Sequence, residues 1–172
     1  MYEIIVKYGK GKFVMFREIR KKANAIGLDE AKKLLAEARI GILSVNGDDG
    51  YPYAIPVNYR YDEESQHIYF HGARAGHKVD SLKASDKICF TVYGKEVIKK
   101  EDWAPFVKSA VVFGRCHLIE DPEVAIEQLK HFAMKYYPNE KLADEEIAVS
   151  GKAARMFEIE IEHISGKEVQ EI

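Results

Sequence analysis

The chain has only two cysteines in 172 residues, Cys89 and Cys116, each inside an apolar run. Two thiols make no disulfide framework, and neither sits at zinc-ligand spacing, so both read as buried, reduced thiols. No apolar stretch reaches membrane-spanning length, and the N-terminus lacks a signal-peptide core. A cytoplasmic protein without membrane contact is therefore expected. Excess charge of one sign is also missing: 26 Lys/Arg stand against 28 Asp/Glu, a net charge of -2, which argues against general nucleic-acid binding. The established phosphate loops are absent too. Gly72 and Gly76 are too close for a Walker loop, Lys78 is followed by Val79 rather than Ser or Thr, and no G-x-G-x-x-G turn occurs. Ser44, Ser81 and Ser109 lie in no nucleophile elbow. There are no repeats and no low-complexity linker.

What is present suits one folded domain. Hydrophobic residues make up 47% and aromatics 11%, and a chain of this size buries roughly two-thirds of its unfolded surface. Residues 1–22 hold seven Lys/Arg against Glu3 and Glu18, a local charge of +5 that reads as a solvated arm.

Periodicity supplies the elements. LDEAKKLLAEA (Leu28–Ala38) is an amphipathic helix that Asp29 can cap, with Ala31, Leu34, Leu35 and Ala38 on one face. RIGILSV, the turn NGDDG and YPYAIPVNYRY read as a hairpin. HIYFHG is a third strand, KICFTVYG a fourth and SAVVFGRCHLIE a fifth, with a short helix VDSLKAS between the third and fourth. Asp121-Pro122 opens a second long helix whose stripe is Ala125, Leu129, Phe132, Ala133 and Tyr136, ended by Pro138. FEIEIEHI alternates as a sixth strand, with Glu158, Glu160 and Glu162 on its wet face. Six strands joined mostly by turns predict a mainly β, α+β fold: an antiparallel barrel with a few peripheral helices. KKEDWAPFVKS, around Trp103, reads as a long functional connection.

GARAGHK follows the third strand directly. Glycines between a strand and a helix start make a common anion site, and Arg74, His77 and Lys78 add cationic donors. No acid occurs from Phe70 to Val79. Residue types leave two readings open, a phosphate seat or a loop that is merely basic. Metal binding is disfavoured. His67 and His71 lie about 13 Å apart along one strand at ~3.3 Å per residue, and adjacent Cys116 and His117 face opposite ways. His67 and His163 read as surface residues, and Tyr59, Tyr61 and Tyr69 as packing.

Several stretches resemble the flavin-binding split β-barrel superfamily that includes pyridoxamine 5'-phosphate oxidase, and within it the nitroimidazole-resistance (NimA-like) branch. They are MFREIRKK (Met15–Lys22), GILSVNGDDGYPYAIPVNYRY, IYFHGARAGHKVDSLKASDKICFTV, SAVVFGRCHLIEDPEVAI and the late ISGK. The resemblance runs from Met15 to the C-terminus, so residues 15–172 are the split-barrel domain and residues 1–14 an extension, unless the chain starts at Met15.

The resemblance implies a six-stranded antiparallel split barrel that dimerises with FMN in clefts at the interface. It places Pro56, Val57, Asn58 and Tyr59 beside the ring. It places His71, Gly72, Ala73, Arg74, Gly76, His77 and Lys78 around the ribityl phosphate, with Trp103 as an aromatic cover. His71 is the candidate proton donor, with a reduced nicotinamide, NAD(P)H, as electron source and a nitro group as acceptor. Flavin storage or sensing, or a haem or deazaflavin in the same barrel, are the alternatives. The chain departs from the oxidase pattern in lacking its arginine-rich C-terminal motif. FEIEIEHISGKEV is acidic instead, which favours a neutral or cationic substrate if that strand faces the site.

Overall fold

Alternating apolar and polar residues build most of the protein. The structure, a computed structural model, describes residues 16–98, 105–151 and 154–169. Trp103 and residues 1–14 lie outside the described residues. The strands are β1 (Ala25–Ile26), β2 (Ile40–Asn46), β3 (Pro52–Asn58), β4 (Arg60–Asp62), β5 (His67–Gly72), β6 (Lys87–Tyr93), β7 (Val97–Ile98), β8 (Pro105–Leu118) and β9 (Arg155–Val169). The helices are α1 (Leu28–Glu37), α2 (His77–Ala84), α3 (Pro122–Tyr136) and α4 (Glu140–Ser150).

The strands pair antiparallel in the order β3-β2-β6-β8-β9-β5-β4, with β1 added on β9 and β7 on β8. The two edges, β3 and β4, are consecutive pieces of chain joined by Tyr59 alone, which curls the sheet into a split barrel with peripheral helices. All six expected strands are present. The second of them is cut in two because the Tyr59 N–H goes to the Tyr136 hydroxyl, 2.8 Å away, instead of to a strand. The two-residue β1 and β7 are too short to show a period.

Leu43, Ile68, Phe70, Phe90, Val112 and Ile159 fill the barrel and are fully buried. Gly41 is required there, because a Cβ would collide with the Phe90 ring. α1 closes one mouth with Ala31 and Leu35. Its cap is Gly27, not Asp29, which sits inside the first turn and favours the helix dipole. α2 starts at His77, two residues before the expected Val79, because Gly76 adopts φ +119° and lets the chain turn early. In α3 the Asp121 carboxylate accepts the Glu123 and Val124 N–H groups at 2.9 and 3.2 Å, as expected of that cap. Its stripe packs Phe132, Leu129 and Tyr136 on Tyr69 and Met156, which lie on the outward faces of β5 and β9. α4 carried no readable pattern, since it buries only Ala143.

The wet face of β9 is less wet than its alternation suggests. Glu158 lies 2.6 Å from His67 Nδ1 and accepts from the Tyr69 hydroxyl at 2.9 Å, while Glu162 accepts from Arg115 Nε at 2.9 Å. His67 and His163 are accordingly not simple surface residues; His163 is half-buried and stacks on Phe16 at 4.8 Å. Cys116 is buried and its thiol is pushed up to about 12 by desolvation, but Cys89 is only half-buried on the outer face. Among the described residues no helix is long and apolar enough to cross a membrane.

Candidate functional site

Three stretches converge on one side of the barrel: the GARAGHK loop, the free edge of β3, and an open cleft at the far end of that edge. A Cβ at Gly72 would run into the Lys78 ammonium, so glycine there is what lets that side chain pass. At Gly76, where φ is +119°, the missing Cβ faces open space. The Val79 and Asp80 N–H groups both reach the Gly76 carbonyl, at 2.8 and 3.1 Å. The earlier amides, those of His77 and Lys78, have no acceptor within the helix.

The three cationic side chains of the loop do not gather at one point. Arg74 is exposed in the loop. His77 stacks on Tyr53 with ring centroids 4.1 Å apart, and its Nε2 lies 3.4 Å from Asp48 Oδ2. Lys78 turns inward, with its ammonium 5.1 Å from the Phe70 ring centroid and 5.3 Å from that of Phe157. Burial holds the Lys78 pKa below the ordinary lysine value, against a smaller opposing pull from Cys116. The loop that carries no acid in sequence meets one in space, because the NGDDG turn presents Asp48 to His77.

His71 and Tyr69 share one side of β5, as alternation predicts. The His71 ring packs edge-on against Phe132 at 4.9 Å. Partial burial first and the Lys78 charge second hold its pKa below 6.5, so the imidazole is neutral at pH 7.

β3 pairs with β2 on one side and, among the described residues, with no strand on the other. From Tyr53, which His77 covers, to Asn58 is five residues, about 17 Å at ~3.3 Å per residue. Pro56 and Asn58 point to the exposed side and Val57 is half-buried toward the core. Tyr59 is wholly buried, and its hydroxyl donates to the Leu35 carbonyl at 2.5 Å, so it anchors the strand from inside. Ala73 lies exposed in the loop beside Arg74.

The end of β3 is held by Tyr136, Arg39 and Lys135, none of which the sequence marked as a site residue. The Tyr136 hydroxyl accepts the Tyr59 N–H and lies 2.7 Å from the carbonyls of both Tyr59 and Arg39, to one of which its single O–H donates. Asn58 Nδ2 donates to the Arg39 carbonyl at 3.2 Å. Lys135 Nζ donates to the Ala38 carbonyl at 2.6 Å and sits 4.4 Å from the Tyr59 ring centroid. Burial, then Arg39 and Arg60, draw the Lys135 pKa down to about 8. The α3 stripe placed Tyr136 inward, but nothing in the sequence connects it to Asn58. Beyond Pro56 opens a cleft of about 1000 Å³, walled by Ile40, Ile42, Tyr93 and Phe106. Among the described residues no group of three or more His, Cys, Asp or Glu is placed to hold a metal ion.

This arrangement suits an elongated ligand with an anionic end and a flat, polar-edged body. Helix amides, open Gly76 and Arg74 would meet the anion, and the unpaired main chain of β3 the body. Asp48 and the inward Lys78 are the parts that do not serve it.

A family profile described as pyridoxamine 5'-phosphate oxidase matches residues 28–168. The chain belongs to this family. No protein with a curated description matches. Among solved structures, the chain is similar to a candidate 5-nitroimidazole antibiotic resistance protein from Bacteroides thetaiotaomicron, at 18% identity and a TM-score of 0.69 over 84% of this chain and 86% of that one. It is also similar to an FAD-binding protein from Mesorhizobium loti, at 23% identity and 0.63 over 85% and 97%. The flavocytochrome Anf3 from Azotobacter vinelandii gives 21% identity and 0.72 over 90% and 73%. The pyridoxamine 5'-phosphate oxidase match runs from α1 almost to the end of β9, so it takes in the loop, the β3 edge and the described walls of the cleft.

Proposed function

We propose that the protein is an FMN-dependent oxidoreductase that passes electrons from a reduced nicotinamide to a small organic acceptor, of which a nitroimidazole-type nitro group is an example. The observation that carries this reading is the free edge of β3, which runs from the α2 N-terminus at one end to the apolar cleft at the other. Family membership supports it, as do the structural relatives described as flavin proteins. A donor of this kind fits work in the cytoplasm.

The bound flavin would supply the hydride and electron chemistry, and the chain supplies binding, orientation and proton handling. The β3 main chain from Pro56 to Asn58 would hydrogen-bond the polar edge of the ring. The α2 amides and Arg74 would hold the phosphate. His71 is the proposed proton-handling residue. Its neutral imidazole has one unprotonated ring nitrogen, so it can take up a proton and pass it on as imidazolium. A homodimer is part of the proposal, supported by Ile40, Tyr93 and Phe113, which stand exposed on the outer side of β2, β6 and β8.

The deciding experiment is an absorption spectrum of the purified protein before and after denaturation. Oxidised-flavin bands with FMN released on unfolding are expected. A Soret band would replace flavin with haem, and a colourless protein that takes up no added FMN would end the proposal. Arg74→Ala should weaken FMN binding by roughly 1.5–3 kcal/mol, whereas Lys78→Ala should change it much less, because that side chain turns inward over Phe70 and Phe157. His71→Asn should keep the flavin but change the pH profile of nicotinamide oxidation. An unchanged profile would remove His71 from proton handling.

A further inference from the structure

The cleft beyond Pro56 carries a charge pattern that the flavin reading does not use. Its wall is apolar, but three cations and two acids also line it: Arg39, Lys95, Lys108, Glu37 and Glu168. Lys108 is already neutralised, bonded to Glu30 and 3.9 Å from Glu168. Glu37 lies 3.8 Å from Lys33. That leaves Arg39 and Lys95. Arg39 spends one N–H on the Lys135 carbonyl, 3.2 Å away, and its guanidinium lies 4.7 Å from the Tyr136 ring centroid. Among the described residues neither Arg39 nor Lys95 has a carboxylate within ion-pair distance.

A guanidinium backed by an aromatic ring, with most of its N–H groups still to spend, is a fork that matches a carboxylate. The same cleft is walled by Ile40, Ile42, Tyr93 and Phe106, suited to a ring rather than to a bare ion. Of the β9 glutamates that suggested a cationic substrate, only Glu168 lines this space, and it lies 3.9 Å from Lys108. Glu158 and Glu162 are held by His67, Tyr69 and Arg115, outside the cleft.

We propose that the cleft beside β3 is a binding site for a small aromatic carboxylate, with Arg39 as the carboxylate contact and Lys95 as a second cation at the rim. The role of such a molecule as acceptor or regulator of turnover rests on the flavin reading; its binding does not. The net local charge selects against cationic ligands, and the apolar wall selects against small inorganic anions.

The test compares 1-naphthoate with its neutral isostere 1-naphthamide, titrated calorimetrically into the protein as purified. Naphthoate should bind roughly tenfold tighter, the margin between a charge-assisted and a neutral hydrogen bond. Arg39→Gln should bring the two ligands to near equality by weakening only naphthoate, and Lys95→Gln, on an exposed side chain, should reduce the preference without risk to folding. Higher salt should weaken naphthoate and leave naphthamide unchanged. Equal binding in the unaltered protein, or a preference that survives the Arg39→Gln, Lys95→Gln double variant, overturns the proposal, as does failure of both ligands to bind. Flavin content read in the same samples separates the two ideas. A lost carboxylate preference with flavin intact sinks only this site, and a preserved preference in a colourless protein sinks only the flavin reading.

Discussion

The two ends of β3 are built in opposite ways. At the Asn58 end, Tyr136, Asn58, Arg39 and Lys135 close a set of main-chain and side-chain hydrogen bonds around a fully buried Tyr59. At the Tyr53 end the ties among the described residues are looser: a stacked histidine and its 3.4 Å contact with Asp48, both partly in water. A strand locked at one end and loosely tied at the other can hold a flat ring in register while its opposite end adapts to the ligand's tail. Rigid placement matters where ring atoms must line up with main-chain donors; a charged tail tolerates more latitude.

The contrast predicts unequal losses. Tyr136→Phe leaves the Tyr59 N–H and one carbonyl without their partner in a half-buried place. It should cost about 2–4 kcal/mol in urea unfolding; a loss below about 1 kcal/mol would mean that the Asn58 end is not locked. Lys135 offers a pH test of the same end. Its folded pKa, about 8, lies below the ordinary 10.5, so the unfolded chain binds more protons between those values. The penalty is full below pH 8 and is relieved as pH rises toward 10.5. Stability should therefore rise across that window, by at most roughly 3 kcal/mol, and Lys135→Met should flatten the rise. A rise that survives the substitution would assign it to another group.

Effects at the Tyr53 end should be smaller. Gly76→Ala meets open space but must hold φ near +119°, where side chains are disfavoured. A cost of about 1–3 kcal/mol is expected, together with weaker FMN binding as the start of α2 shifts. No loss of affinity would separate the helix start from the phosphate. Asp48→Asn should change stability by less than about 1 kcal/mol, as surface pairs do. It should also tighten FMN binding by removing a carboxylate from beside the loop. A weakening would show that Asp48 positions His77 usefully.

Patterning made the barrel legible. The alternation of FEIEIEHI and KICFTVYG and the Asp121-Pro122 start appear in the structure as read. The site was legible only in part. Glycine spacing and the strand-to-helix switch revealed the loop at Gly72 and Gly76, because local conformation is written locally. Where Lys78 and His77 point was not, since one is drawn over Phe70 and Phe157 and the other to Tyr53, partners that only the closed sheet brings near. The same holds for Tyr136, 77 residues from the strand it ends.

The pairing order has a consequence for how the protein is made. β9 is the last of the described strands in the chain, yet it lies in the middle of the sheet, bonded to β8 on one side and β5 on the other. Until it leaves the ribosome, β3-β2-β6-β8 and β5-β4 are two fragments with no shared partner, each exposing a long unpaired edge. Closure is therefore a late event that waits for Arg155–Val169, and a ribosome paused before that segment would hold a chain whose two half-sheets are open to pairing with neighbours.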